Sequence, residues 1–140
     1  MSFESRRRQA GVDAVDSRTF KDKRGLQRVL NATRYSLDGL RAAWVHESAF
    51  RQEALLAAVM IPVALILPVG VIEKILLVGV VVLVLIVELL NTGIEATVDR
   101  DSLEINPLGK RAKDLGSAAV MFALLLAGGT WIAILATHFL

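Results

Sequence analysis

The stretch Ile75–Val87, ILLVGVVVLVLIV, runs on into Glu88-Leu-Leu-Asn91-Thr-Gly-Ile-Glu95-Ala-Thr-Val-Asp99-Arg100, and its reading decides the fold. A spanning helix needs about 20 mostly apolar residues, because the hydrocarbon core is about 30 Å thick and each residue rises about 1.5 Å. Thirteen uninterrupted apolar residues are too few. The helix therefore has to continue through Glu88, Asn91 and Glu95 before it reaches the charged pair Asp99-Arg100. A carboxylate near the bilayer centre costs about 2.5–3.5 kcal/mol on insertion scales, so these residues need a reason. At about 100° per residue, Glu88, Asn91, Glu95 and Asp99 share one stripe about 80° wide. Such a stripe cannot face lipid; it must face a polar cleft or another helix.

Two further uncharged stretches flank this one, the nineteen residues Ala54–Ile72 and the twenty-three residues Leu115–Thr137. The expected spans are 54–72, 75–98 and 107–137. Pro62 predicts a kink within the first, and Pro68-Val69-Gly70 its far end and turn. Only the six residues 69–74 link the first span to the second, which forces an antiparallel pair. The whole chain of 140 residues is 54% apolar. Its mean hydropathy is +0.54. These values exclude a soluble enzyme with a separate core, the length excludes a multidomain protein, and the lack of cysteine excludes a disulfide-stapled fold. Residues 1–53 carry eleven of the sixteen Lys and Arg. With Arg100, Lys110, Arg111 and Lys113 on the same side and only Lys74 opposite, the N-terminus and the 99–114 loop are expected to be cytoplasmic and the C-terminus, His138-Phe139-Leu140, periplasmic. No cleavable signal peptide is read from the charged residues 1–25.

Leu26, Val29, Leu30, Thr33, Leu37, Leu40 and Trp44 recur at helical spacing, while Arg28, Arg34, Asp38 and Arg41 fall largely elsewhere. This predicts an amphipathic helix over 26–50 resting in the membrane interface. Residues 1–25 read as a mobile basic arm drawn to anionic lipid. The fold class is thus all-α and integral to the membrane, with three transmembrane helices behind an N-terminal surface helix.

The acidic stripe carries the chemistry. Interhelical polar glue usually employs Ser, Thr, Asn or Gln, and several acids with no matching Lys or Arg in the span fit that role poorly. A metal site, a general base or an ion path remain. Mg²⁺ binds carboxylate oxygens together with substrate phosphates. Asn106-Pro107 reads as an N-cap followed by proline at the first helical position, with Lys110, Arg111, Lys113 and Asp114 in the first two turns. That is an anion site or plain positive-inside anchoring. Beside a carboxylate stripe it suggests phosphates bridged by cations to carboxylates, the layout of phosphoryl transfer. Soluble kinase signatures are missing: there is no GxGxxG, no Walker A pattern, no HRD and no DFG.

The strings Gly39-Leu-Arg-Ala-Ala-Trp44, Glu47-Ser-Ala-Phe-Arg-Gln-Glu53, Glu88–Arg100 and Arg111-Ala-Lys-Asp-Leu-Gly-Ser-Ala-Ala119 resemble the prokaryotic integral-membrane diacylglycerol kinase family, over about residues 28–140. The loop Asp101–Asn106 departs most from the family pattern. The resemblance implies a homotrimeric helical bundle that moves the ATP γ-phosphoryl group to diacylglycerol, giving phosphatidic acid. It implies Glu88 as general base, with Glu47 and Glu95 holding Mg²⁺ or another divalent cation. Arg28, Tyr35, Glu47, Glu95, Glu104, Asn106, Lys113 and Asp114 would line the nucleotide site. Arg28, Arg41, Trp44, Arg51, Glu53, Glu88 and Ser117 would meet the lipid, and Asn91 and Asp99 would support the site. The setting implied is the bacterial cytoplasmic membrane, with no nucleic-acid partner. The rival readings are an undecaprenol kinase of the same fold, an ion channel or transporter using the stripe, and a structural adaptor. Phe50-Arg-Gln-Glu53 resembles the diacylglycerol enzymes more than the polyprenol ones. Glu95 lies about 10 Å along the axis from Glu88, which suits a metal-bound phosphate near the surface and a hydroxyl acceptor below it. Ala112, Gly116, Ala119, Ala123 and Ala127 would allow close packing of the last helix. Trp44, Trp131 and His138 read as interface or packing residues.

Overall fold

The computed structural model describes the backbone of residues 3–101 and 106–140, and the side chains of residues 25–100 and 106–140. Four helices follow one another: α1 (Phe3–His46), α2 (Ser48–Ile66), α3 (Val71–Asp101) and α4 (Pro107–Phe139). Three of them, α2, α3 and α4, are long and apolar enough to cross a membrane. The chain divides into two compact units, Met1–Arg41 and Ala42–Leu140.

The first unit is the greater part of α1. Its helix begins at Phe3 rather than at residue 26, since residues 3–25 contain no proline and carry charges of both signs that a solvated helix tolerates. Leu26, Val29, Leu30 and Leu37 stand out from it uncovered.

In the second unit the helices turn where local chemistry dictates. The expected surface helix over 26–50 ends instead at His46. Glu47 takes an extended conformation (φ −110°, ψ 112°) and serves as the N-cap residue of α2. The first span ends at Ile66, six residues short of the expected Ile72, because Leu67 precedes Pro68 and is held at ψ 139°. Pro62 lies inside α2 without ending it. At the α2–α3 turn, Gly70 N–H donates to Glu73 Oε2 at 2.7 Å, and Lys74 Nζ donates to the Leu65 carbonyl at 2.8 Å. These contacts satisfy groups that helix ends leave without partners. The other Glu73 oxygen meets His138 Nε2 at 2.8 Å, which ties the end of α4 to the start of α3. At the opposite end of α4, the Asn106 side chain accepts from Leu108 N–H at 3.0 Å, with Pro107 behind it.

α3 and α4 form an antiparallel seam with a seven-residue rhythm. Val98 faces Gly109 and Asn91 faces Gly116. Val84 packs with Ala123 and Ala127. Leu77 is fully buried, and its carbonyl accepts from Trp131 Nε1 at 3.2 Å. A seven-residue repeat is the signature of helices crossing at about 20°. Small residues on α4 let the backbones approach, as membrane helix pairs require in the absence of a hydrophobic drive between them. α2 joins through alanines, Ala57 and Ala64, which pack with Leu77, Val81 and Trp131. Truncating Leu77 to Ala should therefore destabilise the protein by about 2–5 kcal/mol. Denaturant unfolding in micelles measures this, with the half-exposed Leu76→Ala as a comparison expected to stay within about 0.5 kcal/mol of wild type.

Candidate active site

The break at Glu47 has a chemical consequence. The α1 C-terminal carbonyls would be left bare there, and Arg51 covers them: its Nη1 donates to Trp44 O at 2.9 Å and to Val45 O at 3.1 Å. Glu47 itself makes no side-chain capping bond. Its carboxylate is left available beside the head of α2.

Opposite it runs the acidic stripe of α3. Glu88 is 5% exposed and Asn91 9% exposed, so the inner part of the stripe is covered by protein, whereas Glu95 is half-buried and Asp99 is exposed. Glu88 interacts electrostatically with three other carboxylates, those of Glu47, Glu53 and Glu95. Asn91 Nδ2 donates to Glu95 Oε1 at 3.1 Å, leaving Glu95 Oε2. One turn further, Asp99 accepts from Lys113 Nζ at 2.9 and 3.3 Å, and Lys113 also feels the charge of Glu95. The arrangement grades from buried acid at Glu88 to a cation at Lys113. Among the described residues no group of three or more His, Asp or Glu is set to hold a metal ion. Glu47 and Glu95 nevertheless keep carboxylate oxygens available, and two carboxylates completed by phosphate oxygens are an ordinary Mg²⁺ environment.

Below the stripe lies a cavity of about 200 Å³ between α2, α3 and α4. Leu56, Met60, Val81, Val84 and Leu124 are among its walls, and Glu53 is its charged wall. Glu53 Oε2 is buried without a hydrogen-bond partner. A carboxylate oxygen beside an apolar hollow fits an amphipathic guest with a hydroxyl at one end.

The other sequence-predicted site residues are placed as follows. Lys110 and Asp114 pair at 2.7 Å on the exposed face of α4, and Ser117 is exposed on the same helix. Asn106 uses Oδ1 to cap α4. Trp44 is exposed near the end of α1, while Arg51 is engaged with the α1 carbonyls. Arg28, Tyr35 and Arg41 are exposed residues of the first unit. Glu104 lies outside the described residues. Sequence reasoning missed the cap made by Arg51 and the Glu73–His138 pair. The Gly70-x-x-Glu73 spacing of a capping motif was the signal available for half of the latter.

The fold and the site define a class: a multi-pass helical membrane protein with an acidic stripe, buried at Glu88 and Asn91, above an apolar hollow. The family model described as prokaryotic diacylglycerol kinase matches residues 34–135. A diacylglycerol kinase of Pseudomonas aeruginosa is 57% identical over 116 residues, covering 83% of this chain and 94% of the relative. One of Escherichia coli K12 is 48% identical over 115 residues, covering 82% and 94%. One of Haemophilus influenzae is 46% identical over 111 residues, covering 79% and 94%. The chain belongs to the prokaryotic diacylglycerol kinase family. Membership makes it an ATP-dependent lipid kinase of a prokaryotic membrane.

The Arg51 cap predicts a local effect. Arg51→Ala should speed amide exchange at the end of α1 and at Glu47 roughly fivefold, the equivalent of one capping hydrogen bond of about 1 kcal/mol. Hydrogen exchange read by mass spectrometry checks this.

Proposed function

We propose that this chain moves the γ-phosphoryl group of ATP onto the free hydroxyl of diacylglycerol, giving phosphatidic acid and ADP, with Glu88 as the general base. The observation that carries the reading is Glu88 itself: a protein-covered carboxylate one helical turn from Val84, which lines the hollow together with Glu53. An acceptor whose tails lie in the bilayer brings its hydroxyl to that depth. The hydroxyl proton passes to a Glu88 oxygen as the new O–P bond forms. The bond from the γ-phosphorus to the bridging oxygen breaks, and ADP leaves with that oxygen.

The phosphates belong nearer the membrane surface. Glu95 lies about 10 Å further along α3. Lys113 and the N-terminal end of α4 supply positive potential there. Glu47 and Glu95 would hold Mg²⁺ or another divalent ion, which when bound neutralises charge on the transferring phosphates. Asn91 orients Glu95, and Asp99 holds Lys113 in place. For Arg28, Tyr35, Arg41 and Glu104 the support is the family resemblance alone.

The functional unit we read is a homotrimer in the bacterial cytoplasmic membrane, with the N-terminus and the phosphate end cytoplasmic. An open apolar groove of about 620 Å³ along α3, bounded by Val71, Ile75, Val78, Val82 and Ile86, supports a second copy at this face. The Lys and Arg bias of the sequence supports the orientation.

Vesicles holding the protein, offered diacylglycerol and labelled ATP, test the reaction. Glu88→Gln should lower kcat about 10²- to 10⁴-fold, with the KM for ATP little changed. Full activity in that variant would remove Glu88 from the role of base. Preferential labelling of a polyprenol would replace the acceptor. Ion flux across the vesicles in the absence of ATP would point to a channel instead. Separately, Glu47→Gln and Glu95→Gln should each raise the half-saturating Mg²⁺ concentration by at least about tenfold, since even outer-shell partners are worth that much.

A further inference from the structure

Gly116 on α4 faces Asn91 so closely that a Cβ added there would overlap Asn91 Oδ1, while lying 3.3 Å from Asn91 Cγ and 3.7 Å from Ile94 Cδ1. The amide of Asn91 has no freedom to yield. Its residue is 91% buried, 9% of its surface remaining exposed. Its Nδ2 must face Glu95, because a carboxylate only accepts and Nδ2 is the donor, at 3.1 Å. Oδ1 is thereby turned toward α4, where it is buried with no hydrogen-bond partner. The volume it occupies is the one the missing side chain of Gly116 leaves open. Rotating the amide away from a methyl group would break the bond to Glu95.

We infer that Gly116 is a positioning residue for phosphoryl transfer: the absence of its side chain lets Asn91 lie flat against α4 and aim Glu95 at the metal–nucleotide end of the site. The inference rests on the reading of Glu95 as a metal ligand. It explains why glycine, rather than alanine, stands at the step of the seam facing Asn91. Two turns deeper in the membrane, Ala123 fits against Val84 with its methyl group in place.

The test uses the full chain in vesicles, with Mn²⁺ and a non-hydrolysable ATP analogue as probes. Mn²⁺ binding is read by electron paramagnetic resonance, beside the half-saturating metal concentration of the reaction. Gly116→Ala should weaken Mn²⁺ binding about 10- to 100-fold, the range for loss of an orienting outer-shell partner, and leave the KM for diacylglycerol within about twofold of wild type. In an Asn91→Ala background, where the overlap is gone, adding Gly116→Ala should change Mn²⁺ binding no further. Ala123→Val crowds the same seam without touching Asn91; it should lower thermal stability and leave Mn²⁺ binding unchanged. If Gly116→Ala does not assemble, assembly of the double variant assigns the failure to Asn91, and failure of both overturns the inference. Wild-type Mn²⁺ binding in Gly116→Ala would overturn it, as would equal losses in both backgrounds or an equal loss in Ala123→Val. Glu95→Gln separates the two levels. An unchanged Mn²⁺ affinity there removes the metal reading and the inference with it. A weakened affinity there, with wild-type binding in Gly116→Ala, removes the inference alone.

Discussion

A carboxylate cannot be left against hydrocarbon, and the arrangement of the second unit follows from covering those of α3. Glu88 and Asn91 lie where lipid would make them expensive, yet 5% and 9% of their surfaces remain exposed in the folded chain. The cover comes from α2 on one side and α4 on the other. α4 can approach because it presents Gly109, Gly116, Ala123 and Ala127 along the seam. α2 can approach because Ala57 and Ala64 face the core. Small residues in these positions are thus read twice. They lend the pair its van der Waals contact, and they let Glu88 and Asn91 be covered by protein without large side chains filling the space beside them.

The two ends of the bundle are finished differently. At the α2–α3 turn the charged side chains are spent on structure: Glu73 caps its own helix with one oxygen and holds His138 with the other, and Lys74 covers the end of α2. At the other end, polar groups are left with capacity to spare. Glu47 makes no capping bond, Glu95 keeps an oxygen, and Glu53 Oε2 has no partner. Native structures seldom leave buried polar atoms unsatisfied, and where they do a ligand or a reaction commonly accounts for it. The asymmetry supports the proposed placement of the chemistry at that end of the bundle.

The three apolar helices were legible because the bilayer imposes a composition that no short-range accident imitates. The stripe was legible because helical periodicity alone puts Glu88, Asn91, Glu95 and Asp99 on one face. Boundaries shifted where a single residue acts on the backbone: Pro68 draws the end of α2 back to Ile66, and Glu47 interrupts what the pattern reads as one helix. No glycine or proline marks that second break, so the sequence carries no sign of it. Pairings between distant residues were invisible for a different reason. His138 and Glu73 are 65 positions apart, and only the antiparallel course of α3 and α4 brings them together. Gly116 was legible as a packing residue, but its relation to Asn91 depends on the register of the seam, which periodicity does not fix.

That register also explains why acid and hollow adjoin. Moving along α3 from the surface inward, the residues facing α4 and α2 pass from Asp99, paired with Lys113, through Glu95 and Asn91 to Glu88, and then without interruption to Val84, Val81 and Leu77. One helix face thus changes from ionic to apolar within about 30 Å, the thickness of the hydrocarbon core. A soluble kinase must gather its acceptor from water and exclude water afterwards. Here Glu88 is already covered by protein and lies one helical turn from Val84 in the wall of the apolar cavity, so the change from polar stripe to apolar hollow falls at that point. On the proposed reaction, the boundary that makes Glu88 costly to insert is also the one at which a lipid hydroxyl and a phosphate would meet without either leaving its own medium.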